Sequence, residues 1–136
     1  MQFFLNLPVR DLTRSTAFYE AIGAVRQPGF SDDTAACMRF SETFSVMLLI
    51  HDRFQGFSQR PIGDAQTSCA ALYCLIVAER ATIERMVDAA ARNGGLAEPT
   101  PAQDHGFMAM KSLADPDGHI FEIGWMDPAA VPPHAG

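Results

Sequence analysis

Hydrophobic residues along the chain come in short runs separated by polar turns, and their period changes from run to run. Phe3 to Val9 is apolar with Pro8 near its end, which has the length and composition of a strand. Asp11 follows at the position of a helix N-cap, ahead of a segment that puts Leu12, Ser15, Phe18, Ala21 and Ile22 on one face. Gly23 closes this predicted helix as a C-cap residue. Ala24 to Gln27 reads as extended before Pro28-Gly29 turns the chain, and Ala35 to Phe40 and Thr43 to Ile50 read as two strands of a hairpin linked by Ser41-Glu42.

From His51 to Ser68 the periodicity is lost among Asp, Arg, Gln, Gly, Ser and Pro, with Phe54, Phe57 and Ile62 scattered through it. A long stretch without structure of its own inside a compact domain is usually functional or connecting. Two readings follow: a connector tied down by a few apolar side chains, or a lid over a site. The order of the first half then recurs. Ala71 to Val77 reads as a strand, and Ala81 to Arg92 as a helix with Ile83, Met86, Val87 and Ala90 on its core-facing stripe. Asn93-Gly94-Gly95 stops that helix, and Leu96 to Pro99, Phe107 to Leu113 and Ile120 to Met126 read as strands. Leu5 matches Tyr73, Gly23 matches Gly94, Met38 matches Met108 and Leu48 matches Glu122, at an offset close to half the chain. The pattern predicts an internal duplication within a single domain over 1–136. Its modules span about 1–51 and 70–127, with 52–69 connecting them and a Pro- and Ala-rich tail over 128–136.

Composition narrows the partners. With 136 residues, 48% hydrophobic and 19% charged, the chain fits one globular domain and neither a disordered nor a membrane-spanning composition. A net charge of -6 without a cluster of basic residues argues against nucleic acid. Cys37, Cys69 and Cys74 form no CxxC pair, so neither a disulfide framework nor structural zinc is expected. No apolar run approaches the roughly 20 residues that cross a bilayer. The start of the chain also lacks the features of a signal peptide. A cytoplasmic protein without a membrane partner is expected.

Leu7-Pro8-Val9-Arg10-Asp11-Leu12, then Ser15, Phe18-Tyr19 and Gly23, and later Asp115-Pro116-Asp117-Gly118-His119 and Phe121-Glu122 resemble the vicinal oxygen chelate superfamily. That group holds glyoxalase I, bleomycin-resistance proteins and extradiol dioxygenases, and the resemblance covers nearly the whole chain. Asn6-Leu7-Pro8-Val9, Val46-Met47-Leu48-Leu49 and Asp104-His105-Gly106-Phe107 look like the branch labelled predicted lactoylglutathione lyase. The resemblance implies an α+β fold of two tandem βαβββ modules, with curved mixed sheets around a shared cavity. It also implies a homodimer that completes the cavity across its interface. The family's four metal-ligand positions fall here on Phe4, Leu48, Leu72 and Glu122. Three of these side chains have no oxygen or nitrogen donor, and one carboxylate is too few for a divalent ion. No cofactor is expected; a metal, if present, would need Glu122 together with His51 or His105.

Glu122 is the one carboxylate that the resemblance aims into the cavity. Partly desolvated among Phe4, Leu48 and Leu72, it is the candidate general acid or base. The plainer alternative is a hydrogen bond to a neighbouring strand or a pocket water. His51, at the end of the strand carrying Leu48, and His105, before the strand at Phe107, are expected to reach toward the cavity mouth. Cys74 shares a strand face with Leu72, and Asn6 shares one with Phe4. The expected ligand-binding set is therefore Phe4, Asn6, Leu48, His51, Leu72, Cys74, His105 and Glu122. His119 is expected to be structural, and Asp115-Pro116-Asp117-Gly118 a tight turn without a catalytic part. The functions that fit are a lyase, isomerase or dioxygenase acting on a small molecule, with a carbonyl or thioester-like compound as the lyase or isomerase substrate; a protein that sequesters a small molecule; or a dimer whose vestigial cavity is packed shut by Phe4, Phe121 and Trp125.

Overall fold

The computed structural model describes residues 1–130. Its first module runs β1 (Phe3–Val9), α1 (Leu12–Ala21), β2 (Val25–Arg26), β3 (Ala35–Arg39) and β4 (Phe44–Ile50), with a 3-10 turn at Pro28–Phe30. Helix α2 (His51–Phe57) leads into the connector. The second module runs β5 (Tyr73–Ile76), α3 (Ala81–Arg92), β6 (Leu96–Ala97), β7 (Gln103–Asp104), β8 (Met108–Ala114) and β9 (Ile120–Met126). The strand orders are β1-β4-β3-β2 and β5-β9-β8-β6, with β7 also pairing with β8. In both sheets the first strand runs parallel to the last while the other pairs are antiparallel, so each module repeats one mixed topology in an α+β fold.

Local chemistry accounts for the helix ends. The Asp11 carboxylate accepts the Arg14 N–H at 3.0 Å, which satisfies an otherwise orphaned donor in the first turn of α1. Gly23 takes a φ of +115° beyond its C-terminus. Helix α1 packs on the first sheet and α3 on the second. The two inner faces meet in one core that includes Leu7, Val9, Phe18, Tyr19, Val46, Leu48, Ile83, Met86, Val87, Ala90, Leu113, Phe121 and Ile123. Glycine is required where the modules touch. A Cβ on Gly95 would run into the Ala114 carbonyl oxygen and stand 2.5 Å from Cε2 of Phe18. The ring of one module can close on the backbone of the other only because that position has no side chain.

Several expectations need correction. The connector begins with the two-turn helix α2, so His51 is a helix residue and not the end of a strand. On α1, Ala21 is exposed and Tyr19 takes its place in the core. Leu48 pairs with Leu7 in the β1–β4 register and is fully buried against the helix side, whereas Phe4 pairs with Ser45 on the opposite face. Leu48 therefore does not share a face with Phe4; Met47, which pairs with Asn6, does. Phe121 lies in the core and Phe4 on the far side of its own sheet, so the two do not pack together to close a cavity. Of the tail, 128–130 form a turn in which the Ala130 N–H reaches the Asp127 carbonyl at 3.0 Å, and 131–136 lie outside the described residues.

Candidate functional site

The face of the second sheet that points away from α3 carries a row of three polar side chains. Cys74 on β5, Glu122 on β9 and Ser112 on β8 stand directly opposite one another across the strands. Leu72 and Ile76 flank Cys74 and are 49% and 55% exposed. Gly124 leaves room beside Glu122 that its neighbours fill: a Cβ there would lie 3.0 Å from Cδ1 of Ile76 and 3.2 Å from Cε of Met110. The result is an apolar surface around one half-buried carboxylate.

The chemistry of this row is narrow. The Ser112 hydroxyl is occupied, accepting the Thr100 N–H at 3.0 Å and the Thr100 hydroxyl at 2.7 Å while donating to the Thr100 carbonyl at 3.3 Å. Burial pushes the Cys74 thiol up, and the charge of Glu122 pushes it further. Such a thiol stays protonated at neutral pH and is a poor nucleophile. Glu122 is left as the group that can exchange a proton or accept a hydrogen bond from a ligand.

The other expected site residues are dispersed. Phe4 lines a cleft with Phe30, Arg39 and Ser45, and Asn6 lines a second one of about 280 Å³ under the connector, with Phe54, Cys69, Tyr73 and His119. Cys74 borders an apolar groove of about 610 Å³ between β1 and β5. His51 faces a small cleft with Arg10, Asp117 and His119, while His105, between β7 and β8, has its ring 6.3 Å from that of Phe107. Each of these clefts holds at most one of the eight residues expected to share a cavity. The positions equivalent across the two modules are Phe4, Met47, Leu72 and Glu122, and only the last is an oxygen or nitrogen donor. Among the described residues no three His, Cys, Asp or Glu side chains are grouped so that they could hold a metal ion. This donor set does not fit the divalent metal of the family chemistry.

A polar cluster that the sequence reading took only for a turn joins the modules. Asp115 and Asp117 are 3% and 4% exposed. The Tyr19 hydroxyl donates to Asp115 at 2.7 Å, and the Ser15 hydroxyl and Arg10 N–H donate to Asp117 at 3.3 and 2.9 Å. The His119 ring nitrogen Nε2 lies 3.0 Å from the Pro8 carbonyl, which can only accept, so Nε2 is the donor there. Burial raises the Asp115 carboxyl above its usual range, against the lowering effect of His119 and of the Tyr19 hydrogen bond. The adjacent Phe18-Tyr19 pair was the available signal, since both side chains are buried and only the phenol needs a polar partner.

Compared with family models and with curated proteins, the sequence matches none. Solved structures do match. A hypothetical protein of Staphylococcus aureus superposes with a TM-score of 0.75 at 24% identity, over 92% of this chain and 93% of that one. A glyoxalase-related enzyme of Fulvimarina pelagi gives 0.70 at 22% identity, over 92% and 87%. The bleomycin resistance determinant encoded on transposon Tn5 gives 0.63 at 19% identity, over 93% and 98%. The chain has the glyoxalase/bleomycin resistance fold. Within that fold, the seam built by Asp115 and Asp117 holds the modules together, and Glu122 lies on the open face of the second sheet.

Proposed function

We propose that this chain binds a small molecule as a protein of the glyoxalase/bleomycin resistance type, with Glu122 touching the ligand and a second copy closing the site. The supporting observation is the open face around Glu122, where Leu72 and Ile76 are about half exposed, opposite in kind to the buried face beneath α3. Small-molecule sites enclose most of their ligand within mainly apolar walls that carry a few polar groups. A single open face cannot do that. A two-fold dimer that lays the Phe4 face of one copy over the Glu122 face of the other would form the site twice. Sequestration is preferred to lyase chemistry of the lactoylglutathione type. Removing a proton next to a carbonyl leaves an enolate that needs a cation or hydrogen-bond donors, and the row offers a neutral thiol and an occupied serine.

The test joins two measurements. Sedimentation at micromolar protein should give a dimer, and Ile76→Lys should give a folded monomer. A thermal-shift screen of small carbonyl compounds and antibiotics, bleomycin included, should find a compound that stabilises the wild type and not Glu122→Gln. A wild-type monomer, or compounds that stabilise both proteins equally, would count against the reading.

A further inference from the structure

The seam between the modules is closed at one end of β1 and open at the other. Where β1 ends, His119 donates to the Pro8 carbonyl and the Tyr19 hydroxyl reaches Asp115. Toward its start no hydrogen bond joins β1 to β5 among the described residues, although each is an edge strand of its sheet. The groove of about 610 Å³ lies there, with Phe3 and Leu5 on one side and Leu75, Ile76 and Val77 on the other. Phe3 and Leu5 alternate with the face of buried Leu7, and Leu75 pairs with buried Ile123. Ile22 at the end of α1 and Met86 on α3 also line the groove. It therefore opens on the helix side, apart from the Phe4 and Glu122 faces that the proposed dimer covers. Cys74 and Ile76 border it from the edge of β5.

One wall of the groove ends a row of rings. Phe40, just past β3, Phe44 on β4 and Phe3 on β1 follow one another with centroids 5.8 Å apart at each step and planes 17° and 24° from parallel. Tyr19 stands edge-on to Phe40 at 6.3 Å and closes the row at that end. Phe3, at the other end, is 59% exposed, lines the groove and meets no further ring among the described residues. Offset-stacked rings attract beyond the area they bury, so the open end of the row favours one more flat ring. The lining gives charge nothing to pair with. No charged side chain lines the groove among the described residues, the Ser41 hydroxyl already accepts the Phe44 N–H at 3.1 Å, and the Thr82 hydroxyl accepts Arg85 at 2.7 Å. A charged ligand would lose its hydration there without replacement. The volume falls in the range of about 300–1,000 Å³ that small-molecule sites occupy. We infer that this groove binds a flat, uncharged aromatic molecule, which extends the row at Phe3 and rests against Leu75, Ile76 and Val77. The site lies within one chain and does not use Glu122, so it goes beyond the reading above and can fail separately from it.

Titration of isotope-labelled protein followed by amide NMR tests this, with 2-naphthol as the probe and two comparators of nearly the same size. Decahydro-2-naphthol is saturated and not flat, and 2-naphthoate is flat but charged at neutral pH. The naphthol should shift the Phe3, Leu5, Ile22, Phe44 and Val77 signals saturably. The saturated alcohol should bind roughly five-fold more weakly for want of ring stacking. The naphthoate should bind about ten-fold more weakly, because no cation lines the groove. Phe3→Leu should weaken the naphthol about five-fold and leave the saturated alcohol nearly unchanged, a difference that a general loss of packing would not produce. Phe3 is more than half exposed, and retention of the wild-type spectrum elsewhere checks the fold of the variant. Glu122→Gln should change nothing in this titration. A naphthol that gives no saturable shift overturns the site, and one that shifts Phe4, Met47 and Glu122 instead sits on the open sheet faces and overturns it too. Naphthoate binding as tightly as the naphthol overturns the requirement for a neutral ligand. Equal affinity for the saturated alcohol, or an unchanged naphthol affinity in Phe3→Leu, overturns the stacking assignment.

Discussion

Ala35, Cys37, Ser45 and Leu49 in the first sheet and Leu72, Cys74 and Ile76 in the second all point away from the helix that covers their own sheet. The first four are buried and the last three are exposed. The first four lie on the central strands β3 and β4 and the last three on or just before the edge strand β5; Phe4 and Asn6 on the other edge strand, β1, are exposed too, and Ser112 and Gly124 in the middle of the second sheet are buried, so exposure follows the place in the sheet first and what lies beside that edge second. In the first module the turn carrying Phe30 reaches the cleft above Cys37, and α2 sets Phe54 near Asn6 and Pro8. The second module has no counterpart of α2 after β9 among the described residues. Duplicated modules can therefore share their inner packing and their buried sheet centres while differing at the edge: the edge beside β1 has α2 and the Phe30 turn near it, and the edge beside β5 stays open next to a carboxylate.

The strongest way to break that comparison is to probe inner and outer faces with similar substitutions. Phe18→Ala should cost about 3–5 kcal/mol, because a fully buried ring leaves a cavity that its neighbours fill only in part. Gly95→Ala should cost about 3 kcal/mol or more, since the added methyl meets the Ala114 backbone as well as the Phe18 ring. Ile76→Ala on the open face should cost under about 1 kcal/mol when urea unfolding is measured on the monomer. Equal losses at Ile76 and Phe18 would mean that the second outer face is as packed as the core.

The seam between modules ranks next. Tyr19→Phe removes the phenol from Asp115 and leaves a buried carboxylate one donor short, for a loss of roughly 1–3 kcal/mol. Ser15→Ala acts on the longer 3.3 Å bond to Asp117 and should cost less than Tyr19→Phe in the same urea titration. A seam insensitive to both would mean that apolar packing alone joins the modules.

Much of this fold was legible because α3 and the flanking strands obey simple periods. Ile83, Met86, Val87 and Ala90 form the buried stripe that their spacing predicts. What escaped detection has physical reasons. Helix α2 is seven residues long, has no side-chain cap and contains Gly56, so it offers too little periodicity to read. Strand β4 is apolar or small on both faces, Phe-Ser-Val-Met-Leu-Leu-Ile, so alternation offered no check on the motif register that set Leu48 on the face that Met47 occupies. Glu122 was placed by the family motif and Cys74 by its alternation with Leu72, and the two stand opposite one another in the β5–β9 register.

A smaller effect should sharpen the contrast between the open face and the seam. Leu72→Ala should leave monomer stability within about 0.5–1 kcal/mol of wild type while shifting the dimer equilibrium measured by sedimentation. Unchanged self-association would remove Leu72 from the interface and leave its exposure without a role in assembly.

The smallest expected effect concerns pH. Burial raises the folded-state pKa of Asp115 above its usual 3.8, so the folded protein holds this proton to a higher pH than the unfolded chain does. Between 3.8 and the raised value the folded state binds more protons, and stability from this group falls as pH rises through that window. Asp115→Asn cannot titrate. Its amide oxygen can still accept the Asp117 and His119 N–H groups, while its amide nitrogen can donate to the Tyr19 hydroxyl. Urea titrations across the acid range should therefore show wild type gaining stability relative to Asp115→Asn as pH drops toward 3.8. The charge of His119 lowers the Asp115 pKa, so His119→Gln should raise the upper edge of the window. Asp32 and Asp104 have lowered values, the first held down mainly by Thr34 and the second by the Gly106 N–H and Arg80. Stability from these two is lost as pH falls, with the opposite sign, and comparing two proteins that share both groups cancels it. A difference of the opposite slope would mean that Asp115 is stabilised as the anion, and that the seam works as an ordinary carboxylate cap.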